Sequence, residues 1–282
     1  MMRVLSDDDL HDLLREDAPY GDLTTRALEI PHGSAWMHFT ARYAMTACGL
    51  EEAARLLELL GCSVTLRARS GDAVSADAPL LEARGPAEAL LLGWKVTQTL
   101  VEWASGISTA AARITRTARM ADPEAVVACT RKTVPGARAL SLKAITAGGA
   151  EIHRTGLSDT LLLFPEHRHL ADPQEGLTVQ IRRLSTRCPE RRVVVEVDSH
   201  EEALEAARGG ADVIQAEKFP LEALARLAHA LRDFPGVRLA AAGGIHADNA
   251  ADHVHAGARI LVTSAPYTAP PRDVSVRLTP GD

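Results

Sequence analysis

Cysteine is scarce in this chain: four residues in 282, at positions 48, 62, 129 and 188, with no Cys-x-x-Cys or Cys/His spacing among them. That excludes a zinc ribbon or a disulfide scaffold and points to idle thiols in a reducing cytoplasm, the expected location. Aromatic residues make up only 4% of the chain, and these few, with Met45, read as core. No apolar run approaches the roughly 20 residues that span a bilayer, and Met1-Met2-Arg3-Val4-Leu5, followed by Asp7, Asp8 and Asp9, lacks the apolar core of a signal peptide. Basic excess is missing too. A formal net charge of −6 argues against a nucleic-acid or anionic-membrane partner, because either favours a basic face. Any cationic site is therefore local. His246, His253 and His255 lie in or beside one helix, and the two at spacing i, i+2 diverge on its surface, so no metal site is expected there.

What remains is a globular composition, 46% hydrophobic and 24% charged, in a chain long enough for one large domain or two modest ones. Residues 6–16 read as a helix capped by Ser6, with acids in the first turn and Leu10, Leu13 and Leu14 on one face. Residues 35–40 and 45–48 are strand-like, and 50–60 is an amphipathic helix. Residues 64–69, 73–74 and 80–84 follow as strands divided by Gly71-Asp72 and Pro79. A helical stretch runs from Pro86 to about Met120, with Ser105-Gly106 expected as an interruption.

Beyond it the rhythm changes. Short apolar runs at 126–129, 160–164, 193–197, 213–216, 239–242 and 260–263 alternate with helical patterns at 143–147, 173–184, 201–208, 221–232 and 248–255. Continuous apolar strands between helices mean a parallel sheet covered on both faces. A weak repeat supports this: 202–207 runs into Gly210 and the strand after it, as 249–254 runs into Gly257, each glycine suited to a left-handed helix end. The alternation of Val274, Val276 and Leu278 predicts a final strand returning to the first domain. The pattern favours an α/β barrel over a doubly wound sheet, preceded by an α+β unit that reaches to about residue 85.

In such a barrel, reactive groups gather where the strands end. Those ends deliver Thr130-Arg131-Lys132, Glu196-Val197-Asp198, Glu217-Lys218, Gly243-Gly244 and Ser264-Ala265, and the helix and loop after the first of them bring Gly148-Gly149 and then His153-Arg154. A carboxylate after three valines, as at Glu196, is expensive unless it meets a metal or a partner. Glycines at 243 and 244 allow backbone N–H groups to approach a phosphate. Taken singly, Arg131-Lys132 or His153-Arg154 reads equally as ordinary surface charge; their convergence on one rim does not.

Arg131-Lys132-Thr133-Val134-Pro135-Gly136, Ala147-Gly148-Gly149 and His153-Arg154-Thr155-Gly156-Leu157 closely resemble quinolinate phosphoribosyltransferases, also called nicotinate-nucleotide pyrophosphorylases. The likeness extends to Gly21-Asp22-Leu23-Thr24-Thr25, Ser105-Gly106-Ile107-Ser108-Thr109, Glu196-Val197-Asp198 and Gly243-Gly244-Ile245, nearly the whole chain. With Trp94-Lys95-Val96 and Phe164-Pro165-Glu166-His167-Arg168 it is most similar to the ModD branch, associated with molybdenum transport. The resemblance implies an α/β protein of two domains, an open, incomplete TIM-like α/β barrel over residues 107–267 and an α+β sandwich over 1–106 joined by residues 268–282. It also implies a type II phosphoribosyltransferase and a homodimer in which one subunit's first domain caps the other's barrel.

By position, Glu196 and Glu217 would face the ribose and a Mg²⁺-diphosphate, and Lys132 the diphosphate or ring. Gly243, Gly244, Ser264 and Ala265 would cradle the 5′-phosphate, and Arg131, His153 and Arg154 would line the acceptor pocket. Three departures concern the acceptor and the metal: Glu217 replaces an aspartate, Lys95 an arginine that reaches across the dimer, and the region of Phe164 a lysine. These point to a nitrogen heterocycle other than quinolinate. The rival expectations are a non-catalytic phosphometabolite binder in molybdenum handling, and a lyase using Lys132 or Lys143 as a Schiff base, Lys143 being read as solvated.

Overall fold

The computed structural model describes residues 1–30, 33–171 and 175–281. The chain divides into two compact units, Met1–Ala112 with Thr133–Gly149 and Pro266–Asp282, and Arg113–Lys132 with Ala150–Ala265.

The first unit is built on a four-stranded antiparallel sheet ordered Val274–Pro280, Ser34–Ala41, Pro79–Pro86, Ser63–Leu66. Strand Ser34–Ala41 alternates without a break, burying Ala35, Met37, Phe39 and Ala41, as a sheet with one covered face requires. The returning C-terminal strand pairs with it, Met37 opposite Leu278. Helix Asp7–Asp17 starts at Ser6, whose hydroxyl accepts from the Asp9 N–H while the Asp9 side chain accepts from the Ser6 N–H.

Ser105-Gly106 does not interrupt a helix. Ala87–Ala121 is continuous over 35 residues. The run serves instead as a bolt. Ser105 Oγ accepts from the Cys48 N–H at 3.0 Å, Ser108 Oγ donates to the Thr46 carbonyl at 2.5 Å, and Thr109 Oγ1 accepts from the Thr46 N–H at 3.0 Å. A side chain at Gly106 would stand 2.5 Å from the Pro270 carbonyl oxygen, so glycine here permits close approach rather than a bend.

Lys143 is also corrected. Its helix begins at Arg138, five residues earlier than expected, and its side chain is 1% exposed. The ammonium donates to Glu52 Oε2 at 2.6 Å and Glu51 Oε2 at 2.8 Å. Burial pushes the Glu51 carboxyl up, but hydrogen bonds from Lys143 and Ser70 outweigh it and hold it at about 2. A lysine enclosed by two carboxylates is not available as a Schiff-base nucleophile.

The second unit carries seven strands in one parallel sheet, ordered Glu151–Ile152, Val126–Cys129, Ile260–Thr263, Arg238–Ala242, Val213–Glu217, Val193–Val197, Leu161–Leu163. Its two edges are consecutive in sequence yet unpaired with one another, so the sheet curls into an open barrel. Helices Leu177–Arg187, His200–Gly209, Leu221–Ala230 and Ala250–His255 fill the connections. The expected helix over 173–184 is seen from Leu177; residues 173 and 174 lie outside the described residues. Gly210 ends helix His200–Gly209 in the left-handed region, φ 91°. The strand Glu151–Ile152 and helices Leu23–Ala27 and Pro165–Leu170 are too short to show a period in sequence.

Period-two alternation sets the barrel interior. Leu162, Val194, Val213, Ala240, Ala242 and Val262 form one buried cluster, with Phe164 packed against it. Glu196 therefore stands two residues beyond Val194 on the same face, and Gln215 and Glu217 two and four beyond Val213.

Replacing Lys143 with alanine leaves the fully buried Glu52 carboxylate without its cation and beside Glu51. The expected loss is about 3–5 kcal/mol in urea denaturation; a loss below about 1 kcal/mol would contradict the buried-pair account. Glu51 also makes stability pH-dependent. Its lowered carboxyl contributes above its unfolded value of 4.5, and that contribution disappears as pH falls towards about 2.

Candidate active site

The interior face ends in a cavity of about 470 Å³ within the second unit. Arg131, Lys132, His153, Arg154, Glu196, Glu217, Gly243, Gly244, Ser264 and Ala265 all line it. Six different strand ends supply them, because parallel strands in register deliver their next residues to one rim.

Glu196 sits opposite Gln215 in the strand register and accepts from its amide Nε2 at 2.7 Å. Burial raises the Glu196 carboxyl above its ordinary value, and the nearby Glu217 carboxylate raises it further, against the Gln215 hydrogen bond and Lys132. Two mutually repelling carboxylates in one cavity invite a positive charge between them. Burial, and then Arg154, pull His153 below its ordinary value, so its imidazole is neutral at neutral pH. Arg154 is itself buried, its guanidinium carbon 5.7 Å from the centre of the Phe164 ring. Phe164 thus contributes an apolar wall and a stacking face where a cation was expected.

The Gly243-Gly244 turn is left-handed at both residues, φ 91° and 70°. Asn249 braces it, donating from Nδ2 to the Gly244 carbonyl at 3.0 Å and accepting from the His246 N–H at 2.9 Å. Thr263 Oγ1 donates to the Ile245 carbonyl at 2.7 Å and accepts from the Ala265 N–H at 3.0 Å. The Ala265 N–H is therefore engaged within the turn, and Ala265 contributes shape rather than a donor aimed at a ligand.

Lys95 is not part of this cavity. It belongs to the first unit, on helix Ala87–Ala121, with its ammonium 4.3 Å from the centre of the Trp94 ring and bonded to Gln98 Oε1 at 3.1 Å. There it lines a separate depression with Trp103, Asp9 and Asp12. Gly148 is packed within the first unit as well: a side chain there would meet the Ser108 carbonyl oxygen at 2.5 Å.

Gln215 and His246 line the cavity without having been expected there. Gln215 lay inside an apolar run and carried no signal of its own. His246 was assigned to a helix surface, yet it lines the cavity just after the glycine turn. Lys218 was placed on the rim beside Glu217 but given no role. Among the described residues no group of three or more His, Cys, Asp or Glu is arranged to hold a metal ion, and no helix is long and apolar enough to cross a membrane.

Residues 107–277 match the family model for the quinolinate phosphoribosyl transferase C-terminal domain, and residues 22–105 the model for its N-terminal domain. A ModD pyrophosphorylase of Rhodobacter capsulatus is 51% identical over 259 residues, 92% of this chain and 99% of the relative. The carboxylating nicotinate-nucleotide pyrophosphorylase of Homo sapiens is 32% identical over 270 residues, 94% of this chain and 89% of the relative. The crystal structure of NadC from Streptococcus pyogenes superimposes with a TM-score of 0.89 at 26% identity, covering 100% of both chains.

Because Glu196 is held above its ordinary value, native protein binds its proton more tightly than unfolded chain, and stability is lost as pH rises through the folded value. Glu196→Gln removes that penalty. Its melting temperature is expected to exceed the parent's by about 2 °C at pH 8 and to match it at pH 4. A pH-independent difference would show that the carboxylate is not under strain.

Proposed function

The chain belongs to the quinolinate phosphoribosyl transferase family, and on that premise we propose that it is a type II phosphoribosyltransferase moving ribose 5-phosphate between phosphoribosyl diphosphate and a nitrogen heterocycle. The observation that carries the proposal is the meeting of Glu196 and Glu217 with Arg131, Lys132 and Arg154 around one cavity beside a glycine turn. A diphosphate leaving group needs concentrated positive charge, and a ribosyl centre that becomes cationic needs a carboxylate facing it. A simple phosphate binder needs only the first.

In this reading Lys132 neutralises the departing diphosphate. Glu196, fixed by Gln215, faces C1 of the ribose and stabilises its developing charge. Gly243 and Gly244, with Ser264, receive the 5′-phosphate on backbone N–H groups. Glu196 and Glu217 suit Mg²⁺, which takes one or two carboxylates and completes its shell with substrate phosphates and water. Their mutual repulsion, visible in the raised Glu196 carboxyl, is what such a cation would relieve. Bound there, Mg²⁺ would offset charge on the diphosphate.

Arg131, His153 and Arg154 form the acceptor side. With a neutral His153, and Phe164 in place of a cation, Arg131 and Arg154 remain as the cations of this side. Quinolinate, with two adjacent carboxylates, is therefore not the proposed acceptor; the cation lost near Phe164 and the one weakened at Lys95 would together cost it on the order of 2–5 kcal/mol. In the homodimer proposed here, Lys95 would serve the site of the other subunit. A cytoplasmic place in molybdenum handling is proposed on the ModD relatives alone.

The test is incubation with phosphoribosyl diphosphate and Mg²⁺ across a panel of pyridine, pyrimidine and purine acceptors, following diphosphate release. Turnover is expected with at least one acceptor other than quinolinate, and Lys132→Ala is expected to lower kcat by about 10²–10³-fold. Binding without release for every acceptor would transfer the chain to the accessory-binder reading. Turnover on quinolinate alone would refute the acceptor assignment.

A further inference from the structure

Three non-glycine residues among those described have left-handed backbones: Glu29 at φ 48°, Asp77 at 63° and Lys218 at 55°. Aspartate tolerates this region and lysine does not, because its Cβ crowds the following carbonyl. Of the three, only Lys218 lines the cavity. It is held in place from two sides. Its N–H donates to the Ala242 carbonyl at 2.8 Å, and its stem lies across Gly243, where an added Cβ would stand 2.5 Å from Lys218 Cγ. The glycine turn thus leaves room for this lysine as well as for a ligand. The ammonium is only loosely engaged: the side chain is 79% exposed, and its ion pair with Glu217 Oε1 is long, at 3.9 Å, beyond hydrogen-bond reach.

A strained backbone persists only where the surrounding structure enforces it, and here the strain presents a loosely paired cation at the mouth of the cavity. We infer that Lys218 is a substrate-binding residue whose ammonium contacts a phosphate oxygen of the sugar-phosphate ligand seated on the Gly243-Gly244 turn. This rests on the phosphoribosyltransferase reading and adds to it a charge that compensates Glu217 on the ligand side. The left-handed turn at 218 lays the lysine stem against Gly243 and leaves the ammonium in solvent at the cavity mouth, so geometry and charge act together.

The position separates a binding role from a structural one, since Lys218→Gly and Lys218→Asn both suit a left-handed backbone. If the lysine is kept for its charge, both variants melt at or above the parent temperature while binding phosphoribosyl diphosphate with Mg²⁺ about tenfold more weakly in calorimetry. Lys218→Arg keeps affinity within about threefold. Parent-like affinity in the glycine and asparagine variants would overturn the inference while leaving the enzyme reading intact. Lowered melting in both would overturn it too, by showing that the lysine serves the fold. If the unsubstituted protein does not bind phosphoribosyl diphosphate at all, the phosphoribosyltransferase reading falls and takes this inference with it.

Discussion

Two carboxylates on neighbouring strands of one small cavity are the constraint around which the second unit is organised. Glu196 and Glu217 rise from an apolar floor of valine, leucine and alanine, and burial and mutual repulsion hold Glu196 above its ordinary value. Left alone, such a pair only costs stability. The cavity surrounds it with compensation: the Gln215 amide on Glu196, Lys132 and Lys218 at the rim, Arg131 and Arg154 on the side of Phe164. In the function proposed here, a cation with phosphates would relieve the pair's repulsion.

The first unit solves a similar problem in the opposite way. Lys143 with Glu51 and Glu52 is also a buried set of charges, but there each charge already has its partner within 2.8 Å. That cluster is closed and supports the fold. The barrel cluster is open, with Lys218 and Glu217 3.9 Å apart, and its remaining capacity faces the cavity. The contrast in how completely charge is paired separates a stabilising network from a binding site.

The barrel was readable in the sequence for a simple reason. Parallel strands covered on both faces appear as uninterrupted apolar runs, and a carboxylate ending Val193-Val194-Val195 stands out against them. Eight of the ten residues gathered round the cavity were recoverable because strand ends of a parallel barrel share one rim; His153 and Arg154 stood out as a motif, their two-residue strand being too short to read. What stayed hidden depends on distance along the chain or on backbone shape. Lys143 looked like a solvated helix residue since Glu51 and Glu52 lie about 90 positions away. Ser105-Gly106 looked like a helix break because the chain it approaches, at Cys48 and Pro270, is remote in sequence. Gln215 is one polar side chain in an apolar strand, and nothing local says that it faces Glu196. The left-handed turn at Lys218 comes from its bond to Ala242, which composition cannot express.

The central claim is tested most directly by a crystal structure of the protein with Mg²⁺ and a carbocyclic, non-transferable analogue of phosphoribosyl diphosphate. The account predicts the sugar ring over Glu196, the 5′-phosphate on the Gly243-Gly244 turn and the diphosphate between Lys132 and a cation bound by Glu217. An analogue bound elsewhere on the chain, or absent from this cavity at saturating concentration, would contradict it.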